Sequence, residues 1–283
     1  MAVEAHGGRR CLRAPGVLGA MLLWAASAQA QEAPPATAAA PAASSDADLA
    51  MKVANPISDL ISVPLQNNYD CCYGPNDGPR YTLNVQPVIP LHLSKDVLLI
   101  TRTIIPFISQ GATAPGQGSV TGFGDVTQSF FFSPAHPPKG LILGAGPVFL
   151  WPMGRARLGT EKFAAGPTIL VARQAKGTTM GLLANQLWSY AGKSSRADVS
   201  LMTLQPFLSH TLPDTTSFTL NTETNYDWKA GHWTVPINAM VGHIVKVGSQ
   251  RLSLQLGARY YVERPDGGPT WGTRFTVTLL FPE

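Results

Sequence analysis

The chain has 283 residues, a formal net charge of +4 and a charged fraction of only 13%, against roughly 25% in soluble domains. Loss of the amino-terminal leader described below takes lysine plus arginine from 21 to 18 (Arg9, Arg10 and Arg13) and aspartate plus glutamate from 17 to 16 (Glu4). That near-neutral balance argues against a nucleic-acid partner, and three cysteines, one of them in the leader, exclude a disulfide scaffold.

Arg9, Arg10 and Arg13 precede an apolar run through Val17, Leu18, Met21, Leu22, Leu23 and Trp24, and Ala28-Gln29-Ala30 supplies a small-x-small cleavage site. Residues 1–30 therefore read as a secretory signal peptide, with Gln31 opening the mature chain. The run is too short to span a bilayer, and no later stretch offers the roughly twenty apolar residues of a membrane helix. Residues 31–54 read as an Ala/Pro-rich linker and a short helix. Gln31 to Ser45 is too poor in apolar residues to fold, so a disordered segment is expected there. Asp46 to Ala54 has good helix formers, acidic residues in its first turn and Pro56 just beyond, and is expected to rest under or inside the domain formed by residues 55–283.

In that domain the side-chain period is two. Ile61, Val63 and Leu65 alternate with Ser62, Pro64 and Gln66 in a first strand over residues 59–69, followed by a loop over 70–79 that contains Cys71 and Cys72 as two thiols or a mutual bridge. Residues 80–110 form a long hairpin turning at Ser94-Lys95-Asp96, with Tyr81, Leu83, Val85, Ile89, Leu91 and Leu93 on one parity and Thr82, Asn84, Gln86 and His92 on the other. Weaker strands follow over residues 123–132, 141–151, 163–172 and 179–190, then one over 200–211. Four clear ones close the chain over residues 217–228, 233–247, 252–263 and 271–281. About twelve strands result, an even number, several of them near the roughly ten residues of a tilted membrane-spanning strand.

Length, export and aromatic position together predict an all-β, antiparallel outer-membrane β-barrel with no metal or cofactor. Trp151, Tyr190, Trp228, Trp233, Trp271 and Phe281 stand at strand ends, where interface girdles require them. The apolar parity then faces lipid and the polar parity the lumen. On the polar side lie Arg102, Asp125, Glu223, Asp227, Arg251, Arg259, Glu263 and Arg274, with Gln86, Asn221, Asn238 and Gln255. Those charges either line an aqueous path or pair as ballast that closes it.

Pro64, Pro87, Pro90, Pro106, Pro147, Pro167, Pro206 and Pro236 stand against a closed barrel, since each removes a ladder bond; bulges or locally opened pairing are expected at them. No nucleophile elbow, phosphate loop or zinc motif appears, and Ser209 and His210, as neighbours on opposite faces of a strand, cannot act together.

Asn55-Pro56-Ile57-Ser58-Asp59-Leu60-Ile61-Ser62-Val63-Pro64-Leu65-Gln66-Asn67-Asn68, Asn84-Val85-Gln86-Pro87-Val88-Ile89-Pro90 and Ile100-Thr101-Arg102-Thr103-Ile104-Ile105-Pro106 resemble a family of exported bacterial proteins, the MetA-pathway of phenol degradation family. Its members are often labelled transporter or neuromedin U. Gly122-Phe123-Gly124-Asp125, Trp188-Ser189-Tyr190, Leu204-Gln205-Pro206-Phe207, Trp233-Thr234-Val235-Pro236 and Phe281-Pro282 extend the similarity over nearly all of residues 55–283, with a departure at Cys71-Cys72. The resemblance implies an outer-membrane barrel transporting small molecules, aromatic or otherwise apolar compounds among them, and no catalytic residues. The expected function is thus a passive channel or transporter that meets outer-membrane lipid, solutes and, during insertion, the barrel-assembly machinery. The alternatives are a plugged structural barrel and a membrane-embedded hydrolase.

Overall fold

The computed structural model describes residues 45–282; the expected signal peptide and the expected linker up to Ser44 lie outside the described residues. The first element is helix α1 (Asp46–Val53). Ser45 caps it reciprocally: its Oγ accepts from the Asp48 amide at 3.1 Å, and the Asp48 carboxylate accepts from the Ser45 amide at 3.3 Å. Asp46 and Asp48 sit at the positive end of the helix dipole and Lys52 at the negative end.

Fifteen hydrogen-bonded segments follow, and three pairs of them continue one another, which leaves twelve strands. They are β1 (Ile61–Tyr73), β2 (Gly78–Val85 with Val88–His92), β3 (Val97–Gln110), β4 (Val120–Phe123 with Val126–Pro134), β5 (Leu141–Trp151) and β6 (Lys162–Ala175). The remainder are β7 (Thr178–Gly192), β8 (Ser200–Thr211), β9 (Ser217–Thr222 with Thr224–Asp227), β10 (His232–Val247), β11 (Gln250–Glu263) and β12 (Trp271–Phe281). Every strand pairs antiparallel with its sequence neighbours, and β12 closes on β1 from Ile61↔Phe281 to Cys71↔Trp271. The sheet is a closed twelve-stranded meander, so no ladder edge is left open.

The prolines fall largely where pairing lapses. Gln86-Pro87 is the gap between the two halves of β2, and the neighbours are held there through proline carbonyls, which accept from the Gln86 and Thr103 amides. Pairing is also missing at Pro147 against β4, at Gly166-Pro167 against β7 and at Gln205-Pro206 against β9. Two bulges account for two more prolines. Between Ile104↔Thr127 and Phe107↔Phe123, β4 carries one residue more than β3, and the Gly124 amide bonds the Pro106 carbonyl; β11 carries an extra residue opposite Pro236. Pro64 lies opposite the same Gln86-Pro87 gap, unpaired with β2 while in register with Thr278 of β12. Pro90, opposite Ile100 of β3, lies in unbroken register, contrary to expectation.

Short turns and the two ends of the described residues gather at one mouth of the barrel, and longer connections at the other. α1 sits inside the short-turn mouth. Leu49 and Ala50 are buried with Leu60, Ile244 and Leu280, near or at strand ends. Above this floor Ile57 is enclosed by inward-facing Val88, Ile100, Phe131, Leu170, Leu183 and Phe207. The expectation of a wholly polar interior is therefore corrected: apolar side chains of β2 to β8 also turn inward, because the segment leading from α1 into β1 enters the barrel and supplies them with a dry partner. On the outside, Ile169, Val171, Phe218, Leu220, Val241, Leu256 and Tyr260 are exposed, giving an apolar outer wall that water would not wet.

Candidate functional site

The site is the barrel interior, a stack of spaces between the long-loop mouth and α1. Nearest the loops is a vestibule of about 690 Å³, bordered by Arg80, Arg157, Arg196, Tyr73 and Asp266. Beneath it a cavity of about 650 Å³ lies under Arg157, Leu158 and Gly159, lined by the apolar Ile104, Ile108, Leu150, Leu183, Leu187 and Leu201 and by the polar Gln66, Gln86, Arg102 and Glu223. A smaller space of about 180 Å³ lies between that level and α1. Gln66, Gln86, Arg102, Gln205 and Glu223 border both lower spaces and so form the waist between them.

Charge is concentrated at this waist. Glu223 stands at the interruption of β9 and takes Arg274 on both oxygens, at 2.8 and 2.7 Å, while an Arg259 nitrogen lies 3.9 Å away. Arg274 also donates to Asn68 at 2.7 Å. Arg259 donates to Asn238 and to Asp70, Tyr261 donates to Asp70 at 3.0 Å, and Asn238 donates to Asn221 at 2.8 Å. The network crosses the lumen from β1 to β9, β10, β11 and β12. Arg102 stands apart from it. Its one recorded hydrogen bond is to Gln86 at 2.9 Å, and no carboxylate among the described residues lies within ion-pair distance.

The structure distributes the sequence-derived residues as follows. Arg102, Gln86, Glu223, Arg259, Arg274 and Asn221 meet at or beside the waist. Gln255 borders the small space above α1. Arg251 belongs to the floor instead, where it holds Asp46 of α1 at 2.5 Å. Asp125, delivered inward by the β4 bulge, accepts from the Gly154 amide at 3.0 Å and from the Thr160 amide and hydroxyl at 2.6 Å, which pins the loop over the cavity. A Cβ at Gly154 or Gly159 would strike that carboxylate. Asp227 is removed from the lumen by its own turn, accepting from the Lys229 and Ala230 amides. Glu263 is exposed, because the bulge opposite Pro236 reverses the parity after Tyr261.

Three members of the network, Asn68, Asp70 and Tyr261, are absent from the lumen residues read from the sequence. Asp70 lies in β1, which extends to Tyr73 and includes the Cys71–Cys72 bridge that the sequence placed in a loop. Asn68 and Asp70 are two apart and share one face, the signal that would have lengthened the strand. Of the end-of-strand aromatics, Trp151, Tyr190, Trp228, Trp233 and Trp271 gather at the long-loop mouth, and Phe281 stands at the other. Phe149–Trp151–Phe163–Tyr190 and Tyr226 with Trp228 and Trp233 form contiguous ring contacts there. At the same mouth Lys162, the first residue of β6, donates to Asp198 of the loop after β7 at 3.0 Å and holds its carboxyl below the usual range.

No family model and no curated protein matches the sequence. Among solved structures, the chain is similar to an outer membrane channel from Pseudomonas putida F1, with 16% identity over 81% of this chain and 97% of that one and a TM-score of 0.62. Similarity is lower to outer membrane phospholipase A from Escherichia coli, with 12% identity, coverages of 84% and 99% and a TM-score of 0.45. For the β domain of a Bordetella autotransporter the values are 11%, 78% and 100%, and 0.44. The first likeness establishes the fold, that of an outer-membrane β-barrel.

Proposed function

We propose that the chain is exported with residues 1–30 removed, inserts in the bacterial outer membrane with its short turns in the periplasm, and acts there as a passive channel or facilitator for small molecules. The observation that carries this reading is the cavity of about 650 Å³ inside the barrel, lined by both apolar and charged side chains. Its size is that of a small-molecule site. The exposed apolar outer face supports the membrane setting, with the long-loop aromatics as its interface anchors. The resemblance to the phenol-degradation family supports aromatic or apolar solutes.

A second reading, a plugged structural barrel, is favoured by α1 in the short-turn mouth and by the paired charges at the waist. Passage through the lumen then requires α1 or the waist to shift. Planar-bilayer recordings and uptake by proteoliposomes separate the two. Solute-dependent uptake above that of empty vesicles is expected; neither conductance nor uptake, from a barrel that still shows its heat-dependent shift on a detergent gel, would leave the structural reading.

A further inference from the structure

We propose that the cavity above the waist is a binding site for a small organic anion, with the carboxylate paired to Arg102 and the apolar body laid against Ile104, Leu150, Leu183 and Leu187. This names a substrate class for the channel reading and rests on it only for the word substrate. Arg102 carries five guanidinium donors, of which one recorded bond, to Gln86, is made within the protein. The nearest candidate acid in the cavity wall, Glu223, already holds Arg274 on both oxygens and has Arg259 at 3.9 Å. The other acid of the cavity, Asp125, has both oxygens taken by Gly154 and Thr160. The waist thus sets Arg102, Arg259 and Arg274 against Glu223 and Asp70, one positive charge in excess. A half-buried guanidinium in that position favours a carboxylate, which it engages through two parallel bonds.

The way in has the same sign. Arg80, Arg157 and Arg196 border the vestibule with Asp266, Arg196 lying 3.7 Å from the Glu161 carboxylate, and Arg157 borders the cavity as well. Fixed positive charge along a narrow passage concentrates anions at its mouth and guides them inward. The apolar lining that shares the cavity with Arg102 disfavours inorganic anions as occupants, since they would lose hydration without gaining apolar contact. An aryl or short alkyl carboxylate satisfies the guanidinium and the apolar lining at once.

The probes are benzoate and benzamide, equal in shape and different in charge, titrated calorimetrically into the purified full-length mature chain in detergent. Benzoate is expected to bind about tenfold or more tightly than benzamide, and Arg102→Gln to abolish that ratio, with Arg102→Lys retaining part of it. Equal affinities for the two probes on the unaltered protein, or a preference for benzoate that survives Arg102→Gln in a barrel with its heat-dependent gel shift intact, overturn the proposal. The comparison on the unaltered protein needs no variant, so a misfolded Arg102→Gln does not shelter it. Proteoliposome uptake of the same two compounds separates this inference from the channel reading. Equal uptake of both with no difference in binding keeps the channel and removes the anion site; Arg102-dependent binding of benzoate with no uptake of either keeps the site and removes the channel.

Discussion

Arg259 touches Asn238, Asp70 and Glu223, and is 8% exposed. Arg259→Glu would leave Asp70 without its ion pair and set a third carboxylate beside the two already there. Breaking a buried pair in this way costs about 3 to 5 kcal/mol, because the remaining charge keeps its desolvation penalty and loses its partner. The expected outcome is a lowered transition in the heat-dependent gel shift, or a lower denaturant midpoint, measured in one detergent. A variant of unchanged stability whose current turns cation-selective would instead place Arg259 in open water. Arg102, Glu223, Arg259 and Arg274 were legible in the sequence, since a charge on the polar parity of an alternating strand has only the lumen to face. Their pairing was not, because which strands lie across the barrel from one another depends on closure. Asp70 and Glu263 show the sharper limit: one extra residue in β11 and four more in β1 decided inside from outside, and neither a bulge nor a strand end is set by alternation alone.

At the scale of the strand, the alternation was legible wherever one face is polar, as in β9 to β12, and faint where both faces are apolar, as in β5 to β7. There Val148, Leu170 and Leu187 point inward while Ile169, Val171 and Leu182 point outward, so residues of one chemistry occupy both sides. The prolines fit the same picture. Where β5 and β6 lie side by side, Pro147 is directly opposite Pro167, and each strand loses pairing with its other neighbour at that level. Leu256 offers the test of the outer face, being 64% exposed and flanked by Gln255, which borders the interior. Leu256→Arg is expected to lower stability in lipid bilayers by about 2 to 4 kcal/mol if the position is near the midplane, and Gln255→Ser by much less. Reversible unfolding from liposomes measures both. Equal tolerance at the two positions would reverse the assignment of lipid and lumen.

The whole molecule is asymmetric across its lumen and along its axis. Across it, polar residues of β1 and β9 to β12 face β3 to β8, which carry the apolar lining together with Arg102, Asp125 and Gln205; along it, the long-loop mouth opens into a vestibule, and the short-turn mouth is floored by α1. That helix contributes no ladder bond. Its attachments are the apolar contacts of Leu49 and Ala50, the Asp46 pair with Arg251, the 2.9 Å pair of Lys52 with Asp59 and a bond from Gln174 to the Met51 carbonyl at 2.8 Å. Exposed ion pairs of this kind hold weakly, about 0 to 1 kcal/mol each, so the buried Leu49 is the principal anchor. Leu49→Asp would put a carboxylate among Leu60, Ile244 and Leu280 with no partner, a burial the helix avoids by leaving its place. The barrel, whose ladder is independent of α1, is expected to keep its heat-dependent shift, while Lys52 becomes open to trypsin and single-channel conductance rises above that of the unaltered protein. Trypsin cleavage at Lys52 without any rise in conductance would show that the waist, with its Glu223 and Arg274 pair, closes the lumen by itself, and that the helix is a lower stopper behind a barrier already shut.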